Sequence, residues 1–302
     1  MSGFGAQRDA TIARRFSTRA DPGVAPRDAV RIGFVFGPRA LRRFMDRNVS
    51  VVVADGVGSQ RLQRRQFADV RAIARFLAGE LNRSFARAQI STRVSVGAVA
   101  RLAVAETRPR GPHPGAWLAD LCDAMVRGDR SMLPLECWCA ARAVNCAFVL
   151  VDWDMSRTRI ERGGWAGFAP RPASGKRDAL RFHPVAIVDL CCALTAHSFA
   201  HEFGHIVGCT HDGASNRLDA RASGFAARGR ATFSVMAAGR RNERGRRLEW
   251  SRPPPDGADW AFGDADHDEA AWLRFALPSL SRQRFACAGR CDGACAELAT
   301  RG

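Results

Sequence analysis

The segment Val185–Asp212 reads VAIVDLCCALTAHSFAHEFGHIVGCTHD. Val185 to Leu190 is an apolar run broken only by Asp189, which predicts a buried strand. Leu194 to Ala200 is compatible with a helix start, with Thr195 as the N-cap. His201 and His205 then stand four residues apart, so both imidazoles leave one face of a helix. That separation lets two ring nitrogens reach one ion at about 2.0–2.1 Å. Gly208 can take the left-handed conformation that stops a helix, and the chain can then turn so that His211 returns as a third ligand. Three protein ligands leave a further position open, the mark of a catalytic rather than a structural site. Glu202 adjoins the first ligand, where it can take a proton from a water on the ion. A bare H-E-x-x-H occurs by chance, but the glycine and third histidine at these offsets make coincidence remote.

Downstream lies Phe233-Ser234-Val235-Met236-Ala237-Ala238-Gly239. Alone, Met236 reads as core; after the histidine motif it reads as the methionine of a tight turn that forms an apolar floor beneath the ligands. Upstream, Ile32, Phe34 and Phe36 alternate as in a strand with one buried face, and Pro38 ends it. Val51 to Val53 predicts a second short strand. Phe67, Val70, Ile73, Leu77, Leu81 and Phe85 recur at three- and four-residue spacing and predict an amphipathic helix. Ile90 to Leu102 returns to alternation. A helix is expected over Trp117–Val126, a buried strand over Val144–Val151, and a Gly-rich edge strand over Gly163–Ala169. Asp266 to Phe285 reads as a last helix interrupted by Pro278. Strands alternating with helices predict an α/β (α+β) fold with a mostly parallel sheet.

The chain has 302 residues, 46% of them hydrophobic, enough to bury one large core. No apolar stretch is long enough to span a membrane. The formal net charge is +16, and Lys176 is the only lysine, so the charge is arginine. Such a balance favours acidic partners, although a biased composition with solvated faces produces it equally. Residues 1–29 read as a flexible arm with no apolar core of a secretory signal. Arg14-Arg15-Phe16 is followed by polar Ser17-Thr18-Arg19 and not by the apolar run that a twin-arginine signal needs. The ten cysteines permit disulfides, whose connectivity spacing does not fix. Cys287, Cys291 and Cys295 lie in a Gly/Cys tail, 287–302. Asp212 is expected to brace the ligands through hydrogen bonding, and His197, one turn before His201, to play a helix-start or bracing role. Cys209, inside the motif, is expected in a disulfide or in plain packing.

At these residues the sequence resembles the metzincins, in their reprolysin-like branch, where an aspartate such as Asp212 follows the third histidine. Ile187–Asp212 is similar to the buried strand and active-site helix of bacterial peptidyl-Asp metalloendopeptidases. RIGFVFGPRA and ISTRVSVGAVA are similar to their first and second strands. Trp250–Pro253 and GDADHDEAAWLRFALPSLSRQR are similar to their closing loop and C-terminal helix. The resemblance covers roughly residues 30–286. It implies a five-stranded twisted mixed sheet with helices over an active-site cleft, an upper subdomain of about 30–211 and a small irregular lower one of about 212–286. It implies one catalytic Zn²⁺, a protein or peptide substrate laid along the edge strand at Gly164, Trp165 and Ala166, and a monomer exported from the cell. It also implies cleavage before acidic residues, for which Arg240 or Arg241 would supply the cationic pocket. Nucleic acid is not an expected partner.

The chain departs from that pattern. Ala238 stands where many relatives carry tyrosine, and tyrosine is absent throughout. Ile206 stands where asparagine is usual. No cysteine precedes Cys122, so no cysteine-switch segment is visible. A rival reading is a basic protein that binds nucleic acid or an anionic surface and keeps a structural or vestigial zinc site.

Overall fold

The computed structural model describes residues 29–44, 48–56, 59–101, 133–152, 167–168, 184–212, 219, 221–226, 233–237, 246–254 and 262–285. In chain order these form β1 (Val30–Phe36), α1 (Pro38–Phe44), β2 (Asn48–Gly56), β3 (Ser59–Gln66), α2 (Val70–Arg87), β4 (Val94–Arg101) and α3 (Leu133–Ala141). There follow β5 (Cys146–Val151), β6 (Gly167–Phe168), β7 (Val185–Asp189), α4 (Leu190–Thr195), α5 (Ser198–Ile206) and α6 (Glu269–Arg282). The arm, the helix expected over Trp117–Val126 and the cysteine tail lie outside the described residues.

The main sheet has the order β4-β1-β5-β7-β6. Its first four strands are parallel, and β6 closes one edge antiparallel to β7, with Gly167 opposite Val188 and Phe168 opposite Ile187. The expected edge strand is therefore at the edge, though only two residues long. A separate antiparallel ribbon pairs β2 with β3.

The alternation read in β1 implied one buried face, but Val35 is as buried as Phe34 and Phe36. The reason is position: β1 sits between β4 and β5, and helices cover both sides of the sheet. On one side Ile32, Phe34, Phe148, Leu150 and Val188 meet Ile73, Leu77 and Leu81 of α2 and Phe199 and Phe203 of α5. On the other, Val35, Ala147, Val149 and Ile187 meet Leu135, Trp138 and Cys139 of α3. Parallel strands covered on both faces read as continuous apolar runs, as CAFVLV and VAIVD do. Each buried large side chain contributes roughly 1.5–3 kcal/mol.

Helix α2 starts three residues later than its apolar rhythm, because Asp69 caps it: the carboxylate accepts from the Ala72 amide at 2.6 Å. Helix α6 is capped by Asp268 in the same way, at 2.9 Å. Pro278 does not interrupt α6 as expected. The helix continues because Leu273, Ala276 and Leu277 before the proline and Leu280 after it are all buried, which outweighs one lost amide bond. Between His211 and Glu269 the described residues form no helix or strand longer than an isolated bridge.

Candidate metal centre

Strand β7 delivers the chain to the site. Asp189 ends the strand and caps α4, its side chain accepting from the Cys192 amide at 3.0 Å. Thr195 is not the N-cap of the next helix, as the sequence suggested. It is the last residue of α4, and its hydroxyl donates to the Cys191 carbonyl. The cap position of α5 belongs to His197, with φ 55°, a left-handed conformation that a non-glycine residue adopts at a cost. Its Nε2 lies 2.9 Å from Oε1 of Gln60 on β3, so the ring donates there. Burial, with Arg246, Arg87 and Arg247 nearby, pushes the His197 pKa down to about 3.

Helix α5 buries eight of its nine residues, His201 and Glu202 among them, so the helix is held as core rather than as surface. It ends at Ile206, and Gly208, two residues on, has the expected left-handed conformation with φ 96°. Main-chain bonds then fix the return: Thr210 donates to the Ala222 carbonyl at 2.6 Å, and Gly224 donates to the Thr210 carbonyl at 2.9 Å. His211 is thereby carried back over the helix.

The three imidazoles converge. Nε2 of His211 lies 3.0 Å from Nε2 of His201 and 3.1 Å from Nε2 of His205. The protonation of two of the rings is fixed by their other nitrogen. Nδ1 of His201 is 2.7 Å from the Val235 carbonyl, and Nδ1 of His205 is 2.9 Å from the Cys209 carbonyl. A carbonyl only accepts, so each Nδ1 carries the hydrogen and each Nε2, in a neutral ring, presents a lone pair. Burial, then Arg246 and the other two histidines, holds the His201 pKa far below its ordinary value, so protonation does not relieve the crowding. Lone pairs facing one another at this range repel unless a cation lies between them. Two nitrogens on a tetrahedral ion at 2.0–2.1 Å stand about 3.3 Å apart, close to the spacing found. The donor set therefore fits a metal ion, and the three donor atoms lie within 4.8 Å of one another. Among the described residues no other such group occurs. Glu202 is buried beside His201 in the same helix.

Beneath the site, Met236 is fully buried. A Cβ on Gly204 would stand 2.2 Å from the Met236 sulfur, so the glycine between the two helix histidines is the seat of the methionine. The turn is laced in place: Ser234 donates to the Phe225 carbonyl, Val235 to the Glu249 carbonyl, and Arg247 to the Phe233 carbonyl. Glu249 in turn pairs with Arg87 of α2 at 2.8 Å. Met236 thus packs against α5 at the glycine that lies between His201 and His205.

Several bracing residues were not legible beforehand. Glu269, wholly buried at the start of α6, accepts from the Ser251 amide at 2.7 Å. Burial pushes its carboxyl up to about 8, against the pull of Ser251 and Ser234 and with a further upward push from Asp212. Asp212 is half-buried, and its charge is felt at Glu269. Arg246, buried, donates to the Ala196 carbonyl and sets a cation beside His197 and His201. Cys209 is a buried thiol, not a disulfide; its contribution is its carbonyl. Ile206, at the position where asparagine was expected, is buried in the core. His267 pairs with Asp264 away from the three histidines. Gly164, Trp165, Ala166, Arg240 and Arg241 lie outside the described residues, as do His113 and His183.

No family model matches the chain, and no curated protein is significantly similar to it. A solved structure titled "Structure of a chaperone-substrate complex" shares 14% sequence identity, with a TM-score of 0.50 over 84% of this chain. That likeness is one of fold alone, and this chain spans 38% of the length of that one. No described helix is long and apolar enough to cross a membrane.

Proposed function

We propose that the chain is a zinc-dependent endopeptidase of the metzincin type. The observation that carries the reading is the convergence of three Nε2 atoms beside a buried glutamate one residue from the first histidine. Three neutral imidazoles suit a borderline ion such as Zn²⁺ better than a hard one. His201, His205 and His211 would hold it, and when bound it supplies Lewis acidity toward a carbonyl oxygen and a water molecule. Glu202 takes the proton of the attacking water and returns it to the leaving amine. The carbonyls of Val235 and Cys209 keep the rings of His201 and His205 oriented throughout. Met236 fills the space under the helix that Gly204 leaves open. The edge strand around β6 is the place for an extended substrate to add as a further strand, with Arg240 or Arg241 selecting an acidic residue after the scissile bond.

The test is metal content by mass spectrometry paired with casein digestion, with and without phenanthroline. The expected result is about one zinc per chain and cleavage abolished by the chelator. Glu202→Gln should keep the ion and lower cleavage about 10²–10⁴-fold. Full cleavage by a metal-replete Glu202→Gln protein would remove the mechanism. Salt-dependent DNA binding without chelator-sensitive cleavage would favour the basic binding protein instead.

A further inference from the structure

Strand β3 reads SQRLQRRQ and has no buried residue. Arg61, Leu62, Arg64 and Arg65 are exposed, Leu62 at 66%. From Ser59 to Arg75 the chain carries Arg61, Arg64, Arg65, Arg71 and Arg75 against one carboxylate, Asp69, which is occupied in capping α2. The strand is one member of a two-stranded ribbon, and among the described residues it pairs as a strand only with β2. Arg65 is steadied over the rings of Phe67 and Phe76, at 5.3 and 5.1 Å. At its start, Gln60 touches His197, four residues before the ligand His201. The strip therefore begins at the cap of α5, one helical turn before His201, and is about 25 Å long.

We propose that the outer edge of β3 docks an extended acidic polypeptide, which adds to the ribbon as a strand with glutamates or aspartates against Arg61, Arg64 and Arg65 and apolar side chains on Leu62. The inference deepens the peptidase reading, on which it rests, by naming the class of substrate recruited. Strand addition supplies main-chain hydrogen bonds, and the arginines select sign. A nucleic-acid duplex fits less well. A ribbon that enters a major groove presents one face built from both strands. Here β2 has buried residues pointing to both faces, Val49 and Val51 to one, Val52 and Ala54 to the other, so only the rim of β3 is offered.

The test uses the full chain carrying Glu202→Gln, so that binding is read without cleavage. The probe is a fluorescein-labelled peptide of Glu-Glu-Val repeats, which carries glutamate on both faces of an added strand, followed by polarisation, with the Lys-Lys-Val counterpart and a mixed-sequence duplex DNA as the other arms. The glutamate peptide should bind, the lysine peptide should not, and Arg61→Glu with Arg64→Glu should weaken binding about tenfold or more. Arg61→Gln with Arg64→Gln, which only removes the charges, should give a smaller loss in the same direction. Unchanged affinity in both double variants overturns the proposal, as does DNA binding through these arginines with no binding of the glutamate peptide. Absence of chelator-sensitive casein cleavage in the unsubstituted protein defeats the peptidase reading separately, because the polarisation measurement does not depend on it.

Discussion

Helix α5 and strand β3 are joined by a hydrogen bond between the helix's cap residue His197 and Gln60, and are otherwise opposites. The helix buries eight of nine residues; the strand buries none of eight. Polar chemistry on the helix is held by main-chain carbonyls and by Glu269, Arg246 and Asp212 behind it. Polar chemistry on the strand is carried by exposed arginines. On the proposed reading the difference separates two tasks. A metal centre needs rings fixed to a few tenths of an ångström, which only packed surroundings enforce. A docking strip needs charge and reach, and it tolerates mobile side chains. It follows that substitutions near the helix should alter stability and pH response, whereas substitutions on the strand should alter binding while leaving the fold intact.

The largest test of that division is electrostatic. Glu269 has a folded pKa of about 8 against an ordinary value of 4.5. Between those values the folded chain binds a proton that the unfolded chain has lost, so this group's contribution is fully present below pH 4.5 and is lost as pH rises through 8. Glu269→Gln removes the dependence. Urea unfolding at a series of pH values should show wild type losing stability relative to the variant, with a slope approaching about 1.4 kcal/mol per pH unit inside the window. His197 acts in the opposite sense. Its folded value of about 3 lies below 6.5, so its contribution is lost as pH falls below 6.5. A wild-type curve parallel to that of Glu269→Gln from pH 5 to 8 would mean that the carboxyl is not held in its protonated form.

A smaller effect is expected beneath the three histidines. Gly204→Ala would set a Cβ 2.2 Å from the Met236 sulfur. The methionine is flexible but fully enclosed, so the cost should be about 1–3 kcal/mol in denaturant unfolding. Weaker zinc retention should accompany it, because α5 and the turn can no longer both keep their places. Gly204→Ala,Met236→Ala together should recover part of the loss. If the single substitution is neutral in both stability and metal retention, the methionine is not a seat for the site.

These two regions also differ in how far the sequence disclosed them. The cluster of His201, His205 and His211 was readable because it is fixed by helix geometry and by one left-handed residue, Gly208, which are local matters. The parallel sheet was readable because strands covered on both faces leave apolar runs such as CAFVLV. What braces the ligands was not readable. The acceptors for His201 and His205 are the carbonyls of Val235 and Cys209, which any residue type would provide. Gln60 lies 137 residues from the histidine it meets. Helix α3, LPLECWCAA, was missed because an almost wholly apolar segment lacks an amphipathic rhythm. The break between α4 and α5 falls at His197, with no glycine or proline to announce it. Strand β3 was missed for the converse reason: SQRLQRRQ has neither alternation nor β-branched residues, and its pairing with β2 makes it a strand.

The smallest expected effect falls on that strand and is the sharpest test of the contrast. Leu62 is 66% exposed and lies opposite Val52. Leu62→Thr removes apolar surface that folding barely hides and substitutes a residue of good strand propensity, so unfolding should shift by less than about 0.5 kcal/mol. An apolar side chain that the fold does not need, centred among arginines, is then explained by what it contacts outside the molecule rather than inside it. A loss of about 2 kcal/mol or more would show that Leu62 is covered in solution by another part of this chain. In that case β3 is a piece of the core, and the separation between a rigid chemical helix and an accommodating strand does not hold.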